Sequence, residues 1–300
     1  MNFFDSGEII ENDTKFAFFG IPWDNLTSIE KTYSSKTPQE IRKITENLAL
    51  TTEMGFEIPN LKFIDVGNVL IDPNNIEKNI LEIEDFVKSL YDKKKDIIPV
   101  MVGGDHFCTY PVIKALGDSI QKPKKFGVLI FDAHLDLYEK YQESVYSHAT
   151  VSHLIHRLDF ISNKNLLIIG TRDIDIPELK NAKENEITYF NSYMLHDLGV
   201  SSFTKKIIDF FEKSDIKDIY ISIDIDALDP SIAPGTGYAI PGGFTYREAW
   251  KILREVTKKV NIIGFDIVEV SPSLDLLNNV TLKVAAKVII ELMYFILSSK

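Results

Sequence analysis

Val128-Leu129-Ile130-Phe131 runs straight into Asp132-Ala133-His134-Leu135-Asp136, and this junction constrains the fold more than any other stretch. An apolar run of this length behind Gly127 reads as a strand buried on both faces, which requires a sheet covered on both sides. Alternate residues of a strand share a face, so Asp132, His134 and Asp136 project together if the extended conformation persists. Burying such groups without partners costs on the order of 2–7 kcal/mol for a neutral polar group and more for a charge. A divalent cation is the simplest compensation.

Similar runs recur along the chain. Strands are expected over 16–21, 63–69, 97–102, 127–133, 166–170, 187–190, 219–226 and 262–270. Helical patterns separate them. Thr37-Pro38-Gln39-Glu40 reads as a capping box with proline at the first helical position. Asp72-Pro73 opens a helix with Ile76, Ile80, Ile83, Val87 and Leu90 at the 3.6-residue period. Thr245-Tyr246-Arg247-Glu248 is a second capping box, and a last helix is expected over 277–298 with Val284, Val288, Leu292 and Phe295 inward. This alternation predicts an α/β fold with a sheet of about eight mostly parallel strands and helices on both faces. Ligands of such sheets bind beyond the carboxyl ends of the strands. Nothing reads as a linker, so residues 1–300 are expected to form one domain.

The formal charge of −11 argues against nucleic acid or an anionic membrane as the partner and is compatible with a small cationic substrate. Cys108 is the single cysteine, so no intrachain disulfide is possible and a reducing compartment is the default. Met1 to Lys15 carries Asp5, Glu8, Glu11 and Asp13 and does not read as a signal peptide. The most apolar segment, 284–297, is interrupted by Lys287 and Glu291 and falls short of the ~20 residues of a membrane span. A cytoplasmic protein is expected.

Two further motifs end strands in polar groups. Gly103-Gly104-Asp105-His106 gives a tight exit with close backbone approach, after which His106 faces the site. Ser222-Ile223-Asp224-Ile225-Asp226 again spaces two acids two residues apart at the end of an apolar strand. The following loop, 234–243, lacks the lysine of a phosphate cradle and reads as a rigid wall. Asp132, Asp136, Asp224 and Asp226 supply four negative charges and His106 and His134 two neutral donors, a set that two divalent cations neutralise. Oxygen-dominated coordination with two imidazoles suits Mn²⁺ better than Zn²⁺. Two such cations ~3.5–4 Å apart can share a water and convert it to hydroxide near neutral pH, which points to hydrolysis.

Together with Gly264-Phe265-Asp266-Ile267-Val268-Glu269-Val270-Ser271-Pro272, these motifs resemble the four signatures of the ureohydrolases: arginases, agmatinases and formiminoglutamases. The resemblance covers about residues 16–297 in the family's order. It implies an arginase-type three-layer fold, two Mn²⁺ per chain bridged by hydroxide, and a homotrimer or homohexamer. It further implies Asp132 and Asp224 as bridging ligands, His106 and Asp136 completing one metal site, and His134 and Asp226 the other. His148, Asp136 and Glu269 become the candidate catalytic residues, with His148 as proton shuttle and Glu269 holding the guanidinium or formimino cation.

Within the family the pattern is nearest the agmatinases. Tyr138 stands where arginases place the asparagine that reads an amino-acid carboxylate, and agmatinases also carry tyrosine there. Ala149 replaces the usual glycine after the histidine. Asp175, in a segment like the one that receives the α-amino group in arginases, could pair with agmatine's free ammonium. Formiminoglutamases need a basic group for the glutamate, for which Arg157 and Arg172 are the available arginines. Phe107 and Tyr238 stand where the family has serine and threonine, and are expected to narrow the pocket. His153, His156 and Cys108 read as structural. Outside this class stands an inactive metal-binding homologue, although all eight groups of the site are present.

Overall fold

The computed structural model describes residues 1–24, 32–119 and 125–299. Eight strands form one sheet: β1 (Phe16–Gly20), β2 (Phe63–Asn68), β3 (Ile98–Val102), β4 (Gly127–Phe131), β5 (Leu166–Thr171), β6 (Thr188–Asn191), β7 (Asp218–Asp224) and β8 (Asn261–Val268). Their order is β2-β1-β3-β8-β7-β4-β5-β6, and every pairing is parallel. All eight lie where the apolar runs place them.

The period of two sorts each strand between two cores. In β4, Leu129 and Phe131 join the core on one face, and Val128 and Ile130 join that on the other. The first face is covered by helices α1 (Thr37–Thr45), α6 (Ser192–Lys213), α7 (Tyr246–Thr257) and α8 (Val280–Ser298). The second carries α2 (Ile76–Lys93), α3 (Thr109–Ser119), α4 (Val151–His156) and α5 (Ile176–Glu184). Each buried aliphatic or aromatic side chain contributes about 1.5–3 kcal/mol, so a two-sided core favours this layering over any one-sided sheet. Among the described residues, no helix is long and apolar enough to cross a membrane.

Of three local expectations one holds and two change. Thr245 caps α7 through the expected reciprocal box with Glu248. Thr37 does not cap α1. It is the first helical residue, and its hydroxyl donates to the Val270 carbonyl at 2.5 Å, tying α1 to the chain beyond β8. A tertiary acceptor here outcompetes the local cap. Helix α2 starts at Ile76 rather than at Asp72-Pro73, because Asn75 caps it by accepting from the Lys78 N–H at 3.0 Å.

β4 stops at Phe131 and β7 at Asp224, both short of the expected ends. Strand alternation therefore does not bring Asp132, His134 and Asp136 together. The Asp132 carboxylate turns the chain by accepting the His134 N–H at 2.7 Å, and Asp224 does the same for Asp226 at 2.9 Å. Each leading acid folds the loop that presents the next ligand-type group.

Candidate metal centre

The polar ends of β3, β8, β7 and β4, four neighbouring strands, converge at one end of the sheet. His106 follows β3 at the start of a short 3-10 turn and is fully buried. Its Nδ1 lies 3.0 Å from Asp132 Oδ2, 3.1 Å from Asp136 Oδ2 and 3.3 Å from Asp224 Oδ2. His134 Nδ1 lies 3.1 Å from Asp226 Oδ2 and 3.4 Å from Asp132 Oδ1. Two clusters of metal-ligand type follow, His106–Asp132–Asp224 and Asp132–His134–Asp226, with Asp132 in both. Asp224 is drawn to the His106 cluster. The loops are braced across the site by the Ala133 N–H, which donates to Asp226 Oδ1 at 3.0 Å.

The electrostatics are those of carboxylates crowded together out of water. Burial, reinforced by Asp132, pushes the Asp136 carboxyl up to about 8. Burial with Asp226 and Asp132 likewise raises Asp224 well above the carboxylate range. Burial disfavours charge on His106, but Asp132, Asp136 and Asp224 outweigh it and raise its pKa. His106 Nδ1 and Asp132 Oδ2, both buried, have no hydrogen-bond partner of acceptable geometry. Oxygen and imidazole donors with orphaned lone pairs fit hard or borderline divalent cations.

Behind His106 lies a network that the sequence reading missed. Ser222 Oγ sits 3.1 Å from His106 Nε2 and donates to Asp266 Oδ1 at 2.7 Å. Asp266 also accepts from the Tyr220 hydroxyl at 2.6 Å and the Thr109 hydroxyl at 3.0 Å. This fixes the imidazole with Nδ1 toward the acids. The available signal was Asp266 itself, an acid inside an apolar strand that must have partners.

Glu269 stands just beyond β8 and lines the cleft over the clusters together with His148. Both Glu269 and Asp136 adopt left-handed backbone, φ 60° and 52°, which non-glycine residues hold only where surrounding structure enforces it. Gly104 makes the close approach possible, since a Cβ there would lie 2.0 Å from the Trp23 carbonyl oxygen. The His148 ring is set by Ser147 Oγ, 3.2 Å from Nδ1, and by an edge contact with Tyr141.

Tyr238 lines the cleft as expected, its ring edge-on to His134. Phe107 does not. It is fully buried among Trp23, Tyr110 and Tyr146, so its size fills the core rather than the pocket. Tyr138 and Asp175 are not among the residues lining the cleft. The Tyr138 hydroxyl donates to Asp175, whose other oxygen accepts the Ile176 N–H at the start of α5. The Tyr141 ring touches both Tyr138 and His148, and the Tyr138 N–H donates to the Ala149 carbonyl at 3.1 Å. His153 lies beside Asn181 and outside both clusters, and Cys108 is buried.

A profile of the arginase family matches residues 14–294. The chain belongs to that family. Among curated members of the arginase family it is 32% identical over 278 residues to the agmatinase of Pyrococcus horikoshii, covering 92% of this chain and 90% of that one. It is 31% identical over 277 residues to the agmatinase of Bacillus subtilis, covering 92% and 89%. The solved agmatine ureohydrolase of Thermoplasma volcanium superposes with a TM-score of 0.82 at 27% identity, covering 95% of this chain and 90% of that one. The three-layer architecture is thus the arginase fold.

Proposed function

We propose that the protein is a binuclear manganese amidinohydrolase whose substrate is agmatine, giving putrescine and urea. The charge of the cleft carries this reading. Among the described residues that line it are Asp136, Asp224, Asp226 and Glu269, and neither a lysine nor an arginine. With the aspartates engaged by the cations, an amino-acid carboxylate would find no lysine or arginine to pair with, whereas the second ammonium of a decarboxylated arginine needs none. The names of the relatives point the same way.

His106, Asp132, His134, Asp136, Asp224 and Asp226 would hold the two cations. When bound, these supply the positive charge that makes a water nucleophilic near neutral pH. Glu269 holds the guanidinium by accepting its N–H groups. Burial and the nearby Asp105 raise the Glu269 pKa, so an arriving cation restores the charge that binds it. The water oxygen bonds to the guanidinium carbon and the bond from that carbon to the alkylated nitrogen breaks. His148 delivers the proton with which the amine leaves.

A formimino substrate with a glutamate tail is disfavoured by the arginines. Arg172 donates to the carbonyls of Gly170, Asp226, Leu228 and Ile240, which occupies its guanidinium. Arg157 is exposed and does not line the cleft. The test is urea release by manganese-loaded protein from agmatine, arginine and guanidinobutyrate, with formamide release from formiminoglutamate. Agmatine is expected to be turned over fastest; turnover of another substrate without agmatine would overturn the assignment.

A further inference from the structure

Two hydroxyls in the cleft have no task in that scheme. Thr32 and Thr236 are 3% and 4% exposed, both line the cleft, and neither Oγ1 has a hydrogen-bond partner. Leaving such a group buried and unpaired is costly, so unpaired hydroxyls on residues that line a cleft mark where a ligand would complete them. The two threonines come from distant parts of the chain, one ahead of α1 and one in the loop after β7.

Ser271 joins them. Its N–H donates to the Gly235 carbonyl at 2.7 Å, next to Thr236, and its hydroxyl donates to the Thr32 carbonyl. The Ser273 hydroxyl adds a second donor to the same Thr32 carbonyl at 2.7 Å. Ser271 is two residues beyond Glu269, so the backbone that carries Glu269 is tied to the backbone that carries both threonines.

An alkylguanidinium spreads five N–H groups over three nitrogens, and a carboxylate fork engages two of those nitrogens. The third needs acceptors of its own. Further charge there would compete with the metal cluster, whereas a neutral hydroxyl oxygen accepts without adding to it. We propose that Thr32 and Thr236 receive the third nitrogen of the guanidinium and thereby set a preference for guanidino over amidinium substrates. The inference rests on the guanidino-hydrolase reading above and names two residues that enforce it.

Methylguanidinium and acetamidinium are matched probes: the same charge and similar size, with the third nitrogen present only in the first. Their binding is to be measured by calorimetry on manganese-loaded wild type, Thr32→Val, Thr236→Val, and the serine variant at each position. Each valine variant should bind methylguanidinium about tenfold or more weakly, the scale of a hydrogen bond to a charged group. Acetamidinium should be unchanged and serine should restore methylguanidinium. Ser271→Ala, which removes the hydroxyl bond to the Thr32 carbonyl and keeps the backbone bond beside Thr236, should weaken methylguanidinium selectively by a smaller factor. Equal losses for both probes, or none for either, would overturn the inference and leave the guanidino-hydrolase reading intact. A wild type that neither binds methylguanidinium nor releases urea from any guanidino compound would overturn both.

Discussion

The Glu269 carboxylate accepts the backbone N–H of His106 at 2.8 Å, and the Glu269 N–H in turn donates to the Gly104 carbonyl at 2.8 Å. The proposed guanidinium holder and the first metal-ligand candidate therefore cannot move independently. Where the chain leaves β3 and where it leaves β8, the two exits are locked by reciprocal bonds.

Glu269→Gln separates charge from that lock. The amide oxygen can still accept from His106, so both metal clusters should persist, while the charge that attracts a guanidinium is gone. Metal content should equal that of wild type, and kcat/KM for agmatine should fall by roughly a hundredfold or more, the scale of a lost charge-assisted pair. Loss of metal in this variant would contradict the role assigned to Glu269.

Ser222→Ala addresses the support behind His106. All six ligand candidates remain, but Nε2 loses the hydroxyl that links it to Asp266. Metal affinity should weaken about ten- to a hundredfold, the usual cost of losing such an outer partner. Dialysis against graded manganese, with metal read by mass spectrometry, measures it. An unchanged affinity would mean that the ring is held without Ser222.

The strands were legible because an apolar run states its own burial. The acids at their ends were legible because nothing but an ion or a partner makes them tolerable there. Less visible was whatever depends on chain that is remote in sequence. Thr37 looked like a helix cap until Val270 offered its hydroxyl a better acceptor. Thr32 gains its place from Ser271, 239 residues away, and no local pattern encodes that contact. Tyr138 shows the same dependence on its surroundings. Its position beside the metal motif suggested a substrate contact, yet the chain turns at Asp136 and directs the hydroxyl to Asp175.

Tyr138→Phe follows from that geometry. The hydroxyl is engaged by Asp175 outside the cleft lining, and an exposed pair of this kind contributes little. The KM for agmatine should stay within about threefold of wild type, since no bond to substrate is removed. Steady-state kinetics decide it, and a KM rise of tenfold or more would return Tyr138 to the substrate site.

Removing metal should destabilise the fold itself. Asp132, Asp136, Asp224 and Asp226 are all buried within one negative cluster, and a cation that binds only the folded chain stabilises it by mass action. Melting after chelation should occur several degrees lower than with saturating manganese, and the difference should shrink on acidification as protons take the ligand positions. Identical melting with and without metal would argue against a site at these residues.

The sharpest test of two cations rather than one lies in comparing Asp132→Ala with His134→Ala. Asp132 belongs to both clusters, whereas His134 belongs to one. Deleting Asp132 should therefore empty both positions and leave His106 facing only Asp136 and Asp224. Deleting His134 should leave the His106 side able to hold a single ion. Native mass spectrometry after manganese loading should read about two ions per chain for wild type, about one for His134→Ala and none for Asp132→Ala. One ion in wild type, with both variants empty, would instead describe a single site built around Asp132, and the two-metal chemistry would go with it.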